Sequence, residues 1–157
     1  MHSIEFEKVY TFVLTGTFSF GDLTPPQLID IFKDGRVASH LLEPQLVKWF
    51  PELRHVKGCR DHDHVNKVDE SIKYDAKNFT KTSGLKFVPS KMIGTGRKFD
   101  KAKFHKEVKE KKMNYICCDI VDFPKVRVLF KRGTDLLKEY PTGSIGVPKR
   151  DLLFRNG

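Results

Sequence analysis

The sequence predicts a single mixed domain, α/β or α+β in class, with a central mixed β-sheet flanked by helices. Two observations lead to this prediction. Segments with helical and with strand periodicity alternate along the chain, and 157 residues suffice for one hydrophobic core but not for two independently stable domains. The hydrophobic content of 39% and the charged content of 31% are typical of globular proteins.

The N-terminal part predicts strands followed by a helix. Residues 4–20 mix β-branched and aromatic side chains around Gly16, a pattern typical of two short strands in a hairpin. A helix is expected next, because Thr24 can cap it, the prolines at 25 and 26 suit its first turn, and Gly35 can end it.

A second helical segment follows directly. Residues 36–50 place apolar side chains near helical spacing. Pro44 disfavours helical geometry at Glu43, so the sequence predicts a kink or two abutting helices at this point.

Residues 71–79 alternate with the two-residue period of a half-buried strand. The predicted core side carries Ile72, Tyr74, Ala76 and Phe79, with a break in phase near Asn78. The opposite side carries Lys73, Asp75 and Lys77. Tyr74, Phe79 and Phe87 could stack on unpaired bases, but at strand spacing core packing is the favoured interpretation.

The remaining chain completes the predicted sheet and its helices. We expect a loop over 81–98, a charged helix over 100–113, strands over 114–121 and 125–131, a short helix over 133–140, and an irregular surface tail from Pro141.

The positive charge is concentrated in one region. Of the net charge of +9, residues 81–112 contribute +8, from eleven Lys and Arg against three acids. Such a patch favours a polyanionic partner, because lysines near a duplex release its condensed counterions. The candidate phosphate-binding residues in the predicted loop are Lys81, Ser83, Ser90, Lys91, Thr95, Arg97 and Lys98.

The cysteines and the N-terminus indicate a compartment. Cys59 and the adjacent pair Cys117 and Cys118 have no regular disulfide spacing, which favours a reducing environment. No signal peptide or membrane-spanning segment is evident, so a cytoplasmic protein with no membrane partner is expected.

An acid and a lysine on one strand face could form the centre of a metal-dependent site. Mg²⁺ prefers oxygen ligands and keeps several waters, so two protein carboxylates can suffice. Asp75 supplies one, close to Lys77, and Asp63 lies twelve residues upstream, far enough for a short strand and a turn to bring the two acids together. Further candidates are Asp61 or Asp69 in place of Asp63, and Glu43 as a third acid.

This arrangement resembles the PD-(D/E)xK nuclease superfamily, which includes restriction endonucleases and MutH-like nicking enzymes. The matching residues are Asp63 or Asp61 for the first acid, Asp75 for the second, Lys77 for the lysine and Glu43 for a helix acid. The resemblance covers roughly residues 36–121 and implies a restriction-endonuclease-like core. The second acid is Asp where Glu is commoner, and no proline precedes the first acid.

The resemblance also implies an activity. The chain would be a single nuclease-like domain that hydrolyses DNA phosphodiesters, most readily in double-stranded DNA, with Mg²⁺ or in its place Mn²⁺. Asp63, Asp75 and the Ala76 carbonyl would hold the metal. Lys77 would position the attacking water and help to deprotonate it, and Glu43 would bind a second cation or orient the lysine. A restriction-type enzyme of this size would need a homodimer to cut both strands, whereas a monomer could nick.

Three other interpretations remain open. The first is a nucleic-acid-binding module without catalysis, in which Asp75 and Lys77 are an exposed pair of little energetic value. The second is a nuclease that acts on RNA. The third is a zinc or ββα-metal site at residues 61–64 with His64 as general base, although a solvated polar loop is favoured for these histidines.

Overall fold

Residues 1–17, 19–58 and 62–155 are described by the structure, a computed structural model. Within them the strands are β1 (Val9–Val13), β2 (Leu53–His55), β3 (His64–Asn66), β4 (Lys73–Phe79), β5 (Leu85–Lys86), β6 (Met113–Asp119), β7 (Lys125–Arg132) and β8 (Ser144–Ile145). The helices are α1 (Pro25–Phe32), α2 (Gly35–Trp49), α3 (Lys101–Glu110), α4 (Gly133–Glu139) and α5 (Arg150–Leu153), with 3-10 turns at Ser90–Met92 and Val147–Lys149.

The predicted α+β fold is confirmed. A mixed six-stranded sheet runs in the order β1-β7-β6-β4-β3-β2, with a separate pair formed by β5 and β8. β4 and β6 are parallel and are joined through α3, whereas every other neighbouring pair in the large sheet is antiparallel. Apolar clusters cover both faces of the sheet, so it is the middle layer of the domain.

The predicted N-terminal hairpin is wrong. A single strand, β1, forms in this segment, and it pairs with β7, with Val9 opposite Leu129. β7 has eight residues, and it gives each of the five residues of β1 a partner. The next prediction is confirmed at the start of α1, where Thr24 and Gln27 form a capping box. It is wrong at the end of the helix, because α1 ends at Phe32 and Gly35 is the first residue of α2.

Of the two alternatives predicted at Pro44, two abutting helices is wrong, because α2 is one helix that contains this proline. Asp34 caps it by accepting from the main-chain N–H groups of Arg36 and Val37. The side chains of Ala38, Leu42 and Leu46 are buried on both sides of Pro44. Packing of this stripe against the sheet outweighs the hydrogen bond that a proline removes.

The two sides of β4 differ from the prediction at Phe79. Tyr74 packs in the cluster that includes α2, whereas Phe79 packs in the opposite cluster, which includes α3, and so shares the face of Asp75 and Lys77. No change of phase occurs at Asn78, whose amide donates to the Gly35 carbonyl and to Ser39 Oγ. The sheet is apolar on both faces, so alternation alone does not identify a core side. Phe87 is buried as expected for core packing.

The expected irregular tail is wrong as well. β8 pairs with β5, with Ile145 opposite Leu85, and α5 brings Phe154 into the core. Arg150 donates to the buried carboxylate of Asp119 at 3.1 Å, which ties α5 to the end of β6. The elements here are only two to four residues long, too short for a periodic signal.

The predicted helix and strands between residues 100 and 140 are confirmed as α3, β6, β7 and α4, with end points shifted by at most three residues. Cys117 and Cys118 are free and buried in β6. Among the described helices, none has the length and apolarity needed to cross a membrane.

Candidate active site

A cleft of about 800 Å³ opens beside the second half of β4. Its walls come from β4, from the corner between α1 and α2, from the loop after β4, and from α3. β3 pairs with β4 only at Val65 opposite Lys73 and His64 opposite Tyr74. The residues from Asp75 onward therefore extend past β3 into the cleft.

Asp63 immediately precedes β3, and its carboxylate lies close to that of Asp75. Its main-chain N–H donates to the Tyr74 carbonyl at 3.1 Å, which ties Asp63 to β4 beside Asp75, just beyond the last regular pair of His64 and Tyr74. The Ala76 N–H donates to Asp63 Oδ2 at 3.0 Å, so the side chain of Asp63 is fixed against β4. Asp63 therefore lies close enough to Asp75 to act on its carboxyl group.

The pKa of the Asp75 carboxyl group is raised well above its ordinary value. Burial raises its pKa from an ordinary value of 3.8 to about 7, Lys77 opposes the rise, and the carboxylate of Asp63 adds to it. Like charges at this proximity repel, so these two acids are a costly arrangement for an unliganded site. A bound cation would remove that cost.

Lys77 lies on the same face as Asp75, as the strand period predicts. Its Nζ is 3.1 Å from Asp75 Oδ2, and the two side chains are 32% and 17% exposed. The pair is therefore half-buried in the cleft wall rather than displayed on the open surface. The Lys77 side chain is exposed enough to contact a ligand in the cleft.

Glu43 is the third acid, and α2 carries it to the same cleft. Burial raises its pKa, the nearby Asp63 carboxylate raises it further, and a hydrogen bond with His55 opposes both effects. Asp63 thus interacts with Glu43 on one side and with Asp75 on the other. The three carboxylates form a row that begins at His55 and ends at Lys77.

The two alternatives to Asp63 do not join this row. Asp69 lies in the turn before β4, where its carboxylate accepts from Ser71 Oγ at 2.6 Å, and it is absent from the cleft lining. Asp61 lies outside the described residues. The expectation of a solvated loop is wrong for His64, which is fully buried in β3.

The candidate phosphate-binding residues divide into two groups. Lys81, Ser83, Ser90 and Lys91 line the cleft. Lys91 is partly neutralised by Glu107 of α3, at 2.8 Å. Thr95, Arg97 and Lys98 lie on the exposed loop beyond the cleft lining, where Arg97 donates to the Ser90 carbonyl at 2.7 Å.

Sequence reasoning missed a second basic wall. Lys33 and Arg36 flank Gly35 at the corner between α1 and α2, and both line the cleft opposite the loop after β4. The side chain of Arg36 is 93% exposed. Two basic residues at the expected end of a helix were a weak signal, because only the fold brings that corner to β4.

The oxygen atoms around Asp63 and Asp75 are suitable ligands for a hard divalent cation. The Asp63 and Asp75 carboxylates and the Ala76 carbonyl are oxygen ligands of the kind that Mg²⁺ takes, with water completing its shell. Within the described residues, no three side chains of His, Cys, Asp or Glu converge on one metal position. The proposed ligand set needs only two side chains, so it does not depend on such a trio.

No protein-family model, curated protein or solved structure matches the chain. The functional argument therefore depends on the geometry of the cleft.

Proposed function

We propose that the protein is a metal-dependent endonuclease that hydrolyses phosphodiester bonds in DNA, of the restriction or the nicking and repair type. The observation that carries the proposal is the acid row Glu43, Asp63 and Asp75, which adjoins Lys77 in a cleft with basic walls. In a chain of net charge +9, three neighbouring carboxylates at the site of phosphate approach require a cation to make that approach favourable.

A divalent cation at this position supplies Lewis-acid polarisation of the phosphate and of a water molecule. Asp63 and Asp75 would hold it, with the Ala76 carbonyl as a further ligand. The bond from the Ala76 N–H to Asp63 keeps the first carboxylate in place. With a cation bound, Asp75 would be ionised, because a nearby positive charge favours the carboxylate form that burial disfavours.

Lys77 would position the attacking water and offset charge on the scissile phosphate. Its ammonium now pairs with Asp75, and a cation on that carboxylate would weaken the pair and free the lysine for the phosphate. Glu43 would hold a second cation or orient the lysine.

The order of elements also supports the proposed resemblance to PD-(D/E)xK nucleases. The helix with the acid is α2, the acid-x-Lys stands on β4, and α3 leads to β6 in parallel with β4. A double-strand cut would require a homodimer, since the chain carries one such acid row among its described residues.

A second candidate is nucleic-acid binding without catalysis, with DNA or RNA as the ligand. The 3.1 Å pairing of Lys77 with Asp75 favours it, because each group already has an opposite charge. In that case the basic walls would contact phosphates and the acid row would have no chemical role.

The purified parent and an Asp75→Ala variant separate the two candidates. Endonuclease function predicts cleavage of DNA that needs Mg²⁺ or Mn²⁺, loss of at least about 100-fold in rate in the variant, and retained salt-sensitive DNA binding. A matched Asp69→Ala variant should keep full activity, because Asp69 lies outside the cleft. Parallel assays with RNA show which polymer is the substrate. Binding without cleavage of either DNA or RNA would exclude the nuclease and support the non-catalytic binding module.

A further inference from the structure

Two histidines that the proposed mechanism does not use enclose Glu43. His55 ends β2 and His64 begins β3, and they are partners in the antiparallel register of these strands. Their ring centroids are 5.2 Å apart. One ring meets the side chain of Glu43 and the other meets its main chain.

His55 holds one oxygen of the carboxylate. Its Nε2 lies 3.0 Å from Glu43 Oε2, and because a carboxylate only accepts, Nε2 carries the hydrogen. The side chains of His55 and Glu43 are 22% and 24% exposed, but only Glu43 lines the cleft. His55 therefore stands behind Glu43. Among the described residues, no hydrogen bond reaches the second carboxylate oxygen of Glu43, which remains for a ligand in the cleft.

His64 holds the main chain of the same residue. It is fully buried, and its Nε2 donates to the Glu43 carbonyl at 2.8 Å. Because a carbonyl oxygen only accepts, the Nε2 of His64 carries a hydrogen. Its Nδ1 has no hydrogen-bond partner in the described part of the chain. A buried nitrogen without a hydrogen-bond partner lowers the stability of the fold, and this one lies in the ring that binds the Glu43 carbonyl.

We propose that His55 is a positioning residue for Glu43, which it orients toward a cation in the cleft, with His64 anchoring the helix at the same point. The inference rests on the proposed function, because it gives Glu43 a part in cation binding. Residues that orient metal ligands in this way commonly change metal affinity 10- to 100-fold when they are removed.

Calorimetric titration of the protein with Mn²⁺, in the absence of DNA, tests this role. His55→Ala should weaken Mn²⁺ binding by about tenfold, and His55→Gln, which keeps an N–H donor, should recover most of the loss. Arg54→Ala is the matched control, because this neighbour on β2 pairs with Glu70 at the surface. It should bind Mn²⁺ as the parent does.

A double-mutant cycle with Glu43→Gln gives the sharper result. If His55 acts through Glu43, adding His55→Ala to Glu43→Gln produces no further loss of Mn²⁺ affinity. Equal Mn²⁺ binding by His55→Ala and the parent, or additive losses in the cycle, would overturn the positioning role and leave the proposed function standing.

The outcomes for the two proposals are distinguishable. A parent that shows the expected Mn²⁺ pattern but cleaves no nucleic acid would overturn the nuclease function and keep the role of His55. A parent that binds no Mn²⁺ overturns the positioning role and the proposed metal site together.

Discussion

At the scale of single residues, Asp63 holds the candidate site together. Its main-chain N–H donates to the Tyr74 carbonyl of β4, and its side chain accepts from the Ala76 N–H. Its charge acts on Glu43 and Asp75, and it raises the pKa of both. The site stores electrostatic repulsion that a cation would relieve.

The raised pKa of Asp75, which is caused chiefly by burial and further by the Asp63 charge, predicts a gain of stability when Asp75 is replaced by Asn. The folded-state pKa of about 7 lies above the ordinary value of 3.8, so ionising Asp75 destabilises the fold increasingly as pH rises between these values. Asn removes that penalty. After allowance for partial exposure and for the lost Lys77 pair, we expect the free energy of unfolding without metal to rise by about 1–2 kcal/mol at pH 8.

The measurement is urea unfolding of the parent and of Asp75→Asn at pH 8 and pH 4, with a chelator present. The difference should vanish near pH 4, where Asp75 is protonated in the folded state. A loss of stability at pH 8 would mean that the Asp75–Lys77 pair stabilises the fold, contrary to the account.

The acids were within reach of sequence reasoning, and the histidines were not. The spacing of Asp63 and Asp75 fits a short strand and a turn, so it predicted that the two acids lie close together. His55 gave no signal, because its contact with Glu43 joins β2 to α2 across twelve positions of sequence and depends on how the helix packs.

At the scale of elements, the long periodic segments were predictable and the short or non-local ones were not. The α3 helix buries Phe104 and Val108 four positions apart, a pattern visible in the sequence. β2 and β3 have three residues each and show no period. The partner of β1 lies more than a hundred positions away, and no local pattern specifies it.

The C-terminal pairing of β8 with β5 can be tested at Gly84. A Cβ at this position would meet the Ile145 carbonyl oxygen and would lie 3.1 Å from Gly146 Cα. Gly84→Ala should therefore lower the free energy of unfolding by about 1–3 kcal/mol, measured by urea denaturation.

Gly146→Ala on the facing segment is the control. Its Cβ would have Pro148 Cδ at 3.6 Å as its nearest contact, and its φ of −67° suits alanine. We expect a change of less than about 0.5 kcal/mol or a slight gain. Similar effects of the two substitutions would contradict the close approach of the tail to Gly84.

The corner between α1 and α2 makes a separate prediction about binding. If Lys33 and Arg36 contact phosphates, the double variant Lys33→Ala/Arg36→Ala should weaken DNA binding in a chelator by about tenfold. It should also reduce the slope of log K against log salt by up to about 2. Fluorescence anisotropy over a range of salt concentrations measures both quantities.

Lys125→Ala/Lys138→Ala removes the same charge from exposed positions outside the cleft lining and should leave the slope close to that of the parent. An equal effect of the two double variants would indicate a general charge effect and would remove the corner from the interface.

At the scale of the whole molecule, the fold brings basic residues and the acid row to the same cleft. The excess of positive charge in residues 81–112 is spread over α3 and the loops, and Lys81, Lys91 and Lys111 bring part of it to the cleft. The acid row lies in the same cleft. In the proposed function, the basic walls would attract a polyanion and the acids would hold a cation beside the phosphate.

Conversion of supercoiled plasmid by the purified protein tests this account most directly. We expect nicked or linear DNA with Mg²⁺ or Mn²⁺ and none with a chelator, and Asp75→Ala should be inactive at a DNA-bound fraction equal to that of the parent. Intact plasmid and intact RNA in the presence of either metal, with the protein folded and bound, would contradict the central claim.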